Sequence, residues 1–201
     1  MLIRWLLLCV LLLVPTAWAG PTILVFGDSL SANYGVAVES GWVSLLQQRL
    51  TQNNYAYRVV NASISGETTA GGLARIDSAL ATHQPTIVIV ELGANDGLRG
   101  LPLQATRDNL DAMIRACRAG KAKVLLLGMR LPPNYGAAYS ERFSMIYPAL
   151  AKKYHTALLP FLLEGMADKR ESFQADNLHP TAAAQPAVLE NVWKHLKPML
   201  D

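Results

Sequence analysis

Cysteine is nearly absent from this chain. Of the two present, Cys9 lies in an apolar N-terminal stretch and Cys117 in the body. Once the leader described below is removed, no intramolecular disulfide can form, and stability has to come from packing. Cys117 falls at helical intervals from Leu110, Met113 and Ile114, the placement of a small buried hydrophobe rather than of a reactive thiol. Histidine is also sparse, with four residues and no His/Cys cluster at zinc spacing. A Gly-rich phosphate loop and an EF-hand-like loop are missing too. The sequence therefore asks for no metal and no cofactor. Charge is scattered in short pairs such as Lys152-Lys153 and Lys169-Arg170. Of 18 Lys and Arg only Arg4 departs with the leader, against 15 Asp and Glu, which leaves a net charge near +2. Nothing resembles a basic face for nucleic acid.

Long hydrophobic runs are limited to residues 5–14, well short of the roughly 20 residues that span a bilayer. Arg4 precedes this run, Pro15 ends it, and Ala17-Trp18-Ala19 has the small-x-small form of a signal-peptidase site. Residues 1–19 read as a signal peptide cleaved after Ala19. Leu8 before Cys9 offers no small residue for lipid attachment, so the mature protein is expected to be periplasmic or secreted, without a stable membrane anchor. Removing 19 of 201 residues leaves 182, enough to bury the core of one domain at 20–201. No feature calls for an oligomer, and a monomer is expected.

Along the mature chain, β-branched runs at 22–26, 58–61, 86–92, 123–127 and 157–159 alternate with helical patterns at 42–50, 69–82, 103–119, 139–154 and 181–196. Such alternation predicts parallel strands joined by crossover helices, and the unbroken Ile87-Val88-Ile89-Val90 suits a strand covered on both faces. The expected fold is α/β, a three-layer α/β/α sandwich around a five-stranded parallel sheet. Pro102 opens the third helix and Gly120 closes it. Pro148 should kink or break the fourth. The segment 130–136, with Pro132-Pro133-Asn134, is the longest loop before a helix and is expected to form a pocket wall.

Open parallel sheets bind ligands beyond the carboxyl ends of their strands. The residues delivered there are Gly27-Asp28-Ser29 after the first strand and Asn61 to Glu67 after the second. Gly93-Ala94-Asn95-Asp96 follow the third, and Asp176-Asn177-Leu178-His179-Pro180 come after the fifth. A serine hydroxyl attacks an acyl carbon only when a base takes its proton, and histidine titrates in the right range. His179 is the candidate base for Ser29. Asp176, three residues earlier, can meet its Nδ1 through a helical or tight turn. Oxyanion donors would be the Ser29 N–H, the Gly66 N–H, exposed by the lack of a Cβ, and the neutral Asn95 amide. Taken singly, each residue also reads as a turn former or helix cap, and Asp176 could cap the last helix. Asp28, Glu67 and Asp96 are read as turn or helix-start residues.

The blocks Gly27-Asp28-Ser29-Leu30-Ser31, Gly66, Gly93-Ala94-Asn95-Asp96 and Asp176-x-x-His179-Pro180, in this order, resemble those of the SGNH (GDSL) hydrolases. The strings Val60 to Thr68, Val90-Glu91-Leu92-Gly93 and Ile146 to Ala151 look closer still to the periplasmic thioesterase I/lysophospholipase/arylesterase group within it. The resemblance implies a flavodoxin-like fold with Ser29, Gly66, Asn95 and His179 as the family's four named residues and Asp176 completing the triad. Ala94 departs from a Gly-Gly-Asn-Asp pattern frequent in that group, adding a methyl without removing the Asn95 donor. The implied activity is hydrolysis of acyl esters and thioesters, including lysophospholipid, fatty acyl thioester and aryl ester, through an acyl-serine. A carbohydrate O-deacetylase, or a non-catalytic lipid- or sugar-binding domain, would fit the same fold, although a silent relative is expected to lose Ser29, Asn95 or His179. The substrate pocket is expected to be rimmed by Leu30, Leu98, Leu101, Pro133, Tyr135 and Leu178. Residues 96–101, with two glycines around apolar side chains, are read as a mobile lip over an acyl tail.

Overall fold

The five apolar runs form five parallel strands, β1 (Thr22–Gly27), β2 (Arg58–Asn61), β3 (Ile87–Glu91), β4 (Lys123–Leu127) and β5 (Ala157–Leu159). They are hydrogen-bonded in the order β2-β1-β3-β4-β5. The computed structural model describes residues 20–200, so the leader expected at 1–19 lies outside them. β1 and β3 are buried along their whole length, as their unbroken apolarity requires, while β2 at one edge is half-exposed. The chain runs outward from β1 to β2, then returns through a helix to place β3 on the other side of β1. That reversal opens a crevice at the carboxyl ends of β1 and β3.

Among the described residues, seven α-helices accompany the sheet: α1 (Trp42–Gln52), α2 (Thr69–His83), α3 (Ala94–Leu98), α4 (Leu103–Ala119), α5 (Ala137–Ser144), α6 (Ile146–Tyr154) and α7 (Gln185–Leu196). α1 packs with α7 on one face, and α2, α4 and α6 line the other. The core between the layers includes the fully buried Trp42, Tyr147, Phe26 and Phe143. Trp42 also donates its indole N–H to the Leu30 carbonyl at 3.1 Å, tying α1 to the turn after β1.

The break expected in the fourth helix is present: 139–154 is two helices that meet at Met145, and Pro148 sits in the first turn of α6, where its missing N–H removes no bond. One element departs from the sequence reading. The expected lip at 96–101 begins inside the short helix α3, whose N-cap Gly93 has φ 116°. A Cβ at Gly93 would stand 2.5 Å from the Tyr147 hydroxyl, so only glycine fits there. At the end of α4, Gly120 is the C-cap, as expected, at φ −75°, and the left-handed residue is the next one, Lys121 (φ 62°).

One charged side chain ends β3 inside this core. Glu91 is fully buried, and its Oε2 accepts the Asp28 N–H at 3.2 Å and the Ser31 hydroxyl at 2.8 Å. Its Oε1 has no hydrogen-bond partner among the described residues. Burial, and next the neighbouring Asp28 charge, push its carboxyl well above the usual range. A raised carboxyl binds its proton more tightly in the folded than in the unfolded chain, so the stability it contributes is present at acid pH and lost as pH rises. Glu91→Gln removes this dependence. Urea unfolding at pH 5, 6 and 7 is expected to show wild type losing stability relative to the variant as pH rises. Parallel profiles would mean that Glu91 is ionised in the fold.

Candidate active site

The turn after β1 carries Ser29 into the crevice. The Asp28 side chain folds back to accept the Leu30 N–H on Oδ1 at 3.1 Å, and the Asp28 carbonyl accepts from Ser31 and Ala32. The Ser29 N–H has no internal acceptor among the described residues. After β2, the chain is pinned to this turn. Asn61 donates its amide to the Ser31 carbonyl at 2.8 Å, and the Ile64 N–H reaches the Gly27 carbonyl at 3.0 Å. Gly66 follows with φ +79° and no internal acceptor for its N–H among the described residues. A Cβ there would meet only an Arg99 nitrogen at 3.6 Å, so the positive φ, not crowding, is what glycine serves.

The third contribution comes from α3. Asn95 donates through Nδ2 to Asp28 Oδ2 and to the Glu67 carbonyl, both at 3.0 Å. Its neighbour Asp96 does not cap its own segment. It is buried, and its carboxylate accepts the Thr69 N–H at 2.8 Å and hydroxyls from Thr69 and Thr106, fixing the start of α2. Glu67 pairs with Arg75. The residues set aside in the sequence reading thus hold the turns that carry the site.

Asp176 and His179 stand on the loop 173–180, which is closed by a bridge between Phe173 and Pro180 and by the Gln174 N–H on the His179 carbonyl. Asp176 Oδ1 accepts the N–H groups of Leu178 and His179 at 2.9 and 3.0 Å, with Asn177 in the left-handed conformation (φ 59°). This is a tight turn rather than a helix. Asp176 Oδ2 lies 2.7 Å from His179 Nδ1, and His179 Nε2 lies 2.8 Å from Ser29 Oγ. For Asp176, partial burial opposes ionisation, but the two backbone donors and the imidazole outweigh it and hold the carboxyl down at about 2. Asp28 is the reverse case. Burial outweighs its hydrogen bonds and pushes its carboxyl up to about 6.

Two contacts around His179 left no signal in the spacing. The Tyr34 ring covers the imidazole with centroids 4.3 Å apart, and Gln174 donates its amide to the Tyr34 and Pro180 carbonyls. Tyr34 is five residues from Ser29 on a loop turned by the positive φ of Asn33 and Gly35, which periodicity does not encode.

Ser29, Asn95 and His179 open onto a cavity of about 530 Å³. Of the expected rim, Leu30, Leu98, Pro133 and Leu178 line it, and the Ala94 methyl lies in its wall. Leu101 and Tyr135 do not. Leu101 follows α3 and the turn at Gly100, which carry it away from the cavity to a partly exposed position. Tyr135 donates its hydroxyl to the Leu98 carbonyl at 2.9 Å and so supports the wall from behind. The segment expected as a pocket wall, 130–136, lines it through Arg130, Leu131, Pro132 and Pro133, while Met129, Phe161 and Leu163, from the segments after β4 and β5, were not anticipated. The rule that ligands sit beyond the strand ends would have pointed to both segments. Among the described residues, no group of His, Cys, Asp or Glu is arranged to hold a metal ion. No helix among them is long and apolar enough to cross a membrane.

A serine hydroxyl, an imidazole and a carboxylate in hydrogen-bonding sequence, beside free backbone N–H groups and an amide, are the groups that acyl transfer needs. Comparison with known proteins agrees. The family model of the GDSL-like lipase/acylhydrolases matches residues 25–186. Esterase TesA of Pseudomonas aeruginosa is 55% identical over 182 residues, covering 90% of each chain. Thioesterase 1/protease 1/lysophospholipase L1 of Escherichia coli K12 is 44% identical over 200 residues, covering 98% of this chain and 95% of its own. The crystal structure of the psychrotrophic esterase EstA from Pseudoalteromonas, inhibited by monoethylphosphonate, superposes with a TM-score of 0.85. It is 40% identical and covers 89% of this chain and 97% of its own. The chain belongs to the GDSL-like lipase/acylhydrolase family and is an esterase with the five-stranded SGNH hydrolase fold.

Proposed function

We propose that this esterase is an exported enzyme that hydrolyses lipid-like acyl esters and thioesters through an acyl-Ser29 intermediate. The observation that carries the reading is the line Asp176 Oδ2, His179 Nδ1, His179 Nε2, Ser29 Oγ, with spacings of 2.7 and 2.8 Å, opening onto a largely apolar cavity. His179 Nε2 takes the hydroxyl proton as Ser29 Oγ bonds to the acyl carbon. Asp176, ionised throughout the neutral range, holds the ring and stabilises the imidazolium. The negative charge moves to the former carbonyl oxygen, which the Ser29 and Gly66 N–H groups and the Asn95 amide receive. His179 then gives its proton to the leaving alcohol or thiol. Water, deprotonated by the same imidazole, attacks the acyl carbon, the bond from that carbon to Ser29 Oγ breaks, and His179 Nε2 returns the proton to Oγ as the acid leaves.

Met129, Leu131, Phe161 and Leu163 give the cavity the surface an acyl chain would bury. Lysophospholipid, fatty acyl thioester and aryl ester are the substrate classes that fit; the Escherichia coli relative is named as a thioesterase and a lysophospholipase. An acetylated sugar would leave these walls unused. Export rests on the signal-peptide pattern of residues 1–19 with cleavage after Ala19, and the mature protein is read as a single-domain monomer.

Ser29→Ala is expected to abolish p-nitrophenyl ester hydrolysis, and Asn95→Ala to lower kcat by roughly 10²- to 10³-fold. Full activity in the serine variant would end the mechanism. Each buried methylene contributes about 0.8 kcal/mol, so kcat/KM should climb about fourfold per added carbon along a p-nitrophenyl ester series until the cavity is filled. Leu98→Ala should shift that profile and Leu101→Ala should not. A profile that peaks at acetate, with faster turnover of acetylated sugar than of lysophospholipid, would overturn the lipid reading.

A further inference from the structure

The Asn95 amide has two hydrogens, and both are engaged before any substrate arrives. One goes to Asp28 Oδ2 and the other to the Glu67 carbonyl, each at 3.0 Å. Both partners are acceptors, which fixes the amide with Nδ2, not Oδ1, toward the serine turn. The two acceptors are not equivalent. The Glu67 carbonyl is a neutral group on the loop that also carries Gly66. Asp28 is fully buried and held at both ends, its N–H on Glu91 and its Oδ1 on the Leu30 N–H. A bond to it is therefore made in a fixed place by a group with no freedom to turn away.

We propose that Asp28 is a positioning residue for the oxyanion site: its Oδ2 anchors one hydrogen of the Asn95 amide, so that the other is held ready to pass from the Glu67 carbonyl to the oxyanion. This rests on the oxyanion role given to Asn95 above. It assigns the aspartate of the Gly27-Asp28-Ser29 turn a task beyond shaping the turn. Without the anchor, the amide can rotate by half a turn and present a carbonyl oxygen to the developing negative charge, which repels it.

Asp28→Asn separates these roles. The new side chain has the same size and keeps an oxygen for the Leu30 N–H, but it sets an NH2 group against the Asn95 NH2. Two facing donors force the Asn95 amide to turn over. On a p-nitrophenyl ester, Asp28→Asn alone is expected to lower kcat about 10²-fold, approaching the loss from removing the donor itself, with KM little changed. In an Asn95→Ala background the same substitution should change kcat by less than about twofold, because the group it acts through is gone. Asp28→Ser, which keeps an acceptor one atom shorter, repeats the cycle should the asparagine variant fail to fold, as read by its unfolding transition. Equal losses in both backgrounds would show that Asp28 serves only the Ser29 turn and would overturn the proposal. Full kcat in Asp28→Asn, with Asn95→Ala still impaired, would also overturn it and leave the mechanism standing. Full kcat in Asn95→Ala would remove the oxyanion role of Asn95 and this proposal with it.

Discussion

The site depends on the pairing of β1 with β3. Phe26 lies beside Val90 and Gly27 beside Glu91, so the two strands end at the same level and release their turns into the same crevice. A slip of one residue would swap the faces of every side chain on the strand and take Ser29 away from Asn95. The register is held at its last step by a tight fit. A Cβ on Gly27 would come within 2.6 Å of Glu91 Oε2, so the glycine lets the carboxylate in, and the carboxylate then binds the Asp28 N–H and the Ser31 hydroxyl. The strand pair and the nucleophile turn are in this way one unit.

Three carboxyl groups near Ser29 differ in their surroundings, and those surroundings divide the work among them. Asp176 is near the surface, and three donors converge on it, so it stays charged and can support an imidazolium. Asp28 and Glu91 are buried next to each other, and burial raises both, Glu91 the more because it also faces the charge of Asp28. Two charges side by side in the core would be costly, which adds to the upward push on Glu91, whose Oε2 accepts both hydrogen bonds of the turn. The same residue type thus acts as an electrostatic partner in one place and as a scaffold in another. Residue identity alone would have placed Asp28, adjacent to the serine, in the role that Asp176 occupies by geometry.

This division explains what was legible in the sequence. The strands were legible because β1, β3 and β4 bury both faces and so show as unbroken apolar runs, and the long helices because α4 repeats Leu110, Met113, Ile114 and Cys117 on one side. The serine, the histidine and its aspartate were legible because each follows a strand or falls at a local spacing of three. The neighbours of His179 were not. Tyr34 reaches it across 145 positions of chain, by way of a loop whose course is set by positive φ at Asn33 and Gly35 rather than by any repeat. Leu101 and Tyr135 were misplaced for a related reason. A rim assigned by nearness in sequence to Asn95 and Pro133 takes no account of α3, which turns Leu98 inward and carries the residues after it outward.

The cavity and the catalytic line are built from different parts of the sheet. The nucleophile, the Gly66 loop and Asn95 come from β1, β2 and β3, on the side of the chain reversal, whereas Met129, Leu131, Phe161 and Leu163 follow β4 and β5. The loop carrying Asp176 and His179 comes after β5 but bends back to Ser29, held by Gln174 on the Tyr34 carbonyl. The chemistry is consequently fixed by strand register and by buried polar contacts, which tolerate little change. The acyl wall is fixed by apolar side chains at two strand ends, where volume matters more than identity. Substitution at Met129 or Leu163 can therefore reshape which chain is accepted without disturbing the spacing of Ser29, His179 and Asp176, while any change at Gly27 or Glu91 disturbs the two hydrogen bonds by which Glu91 holds the Ser29 turn.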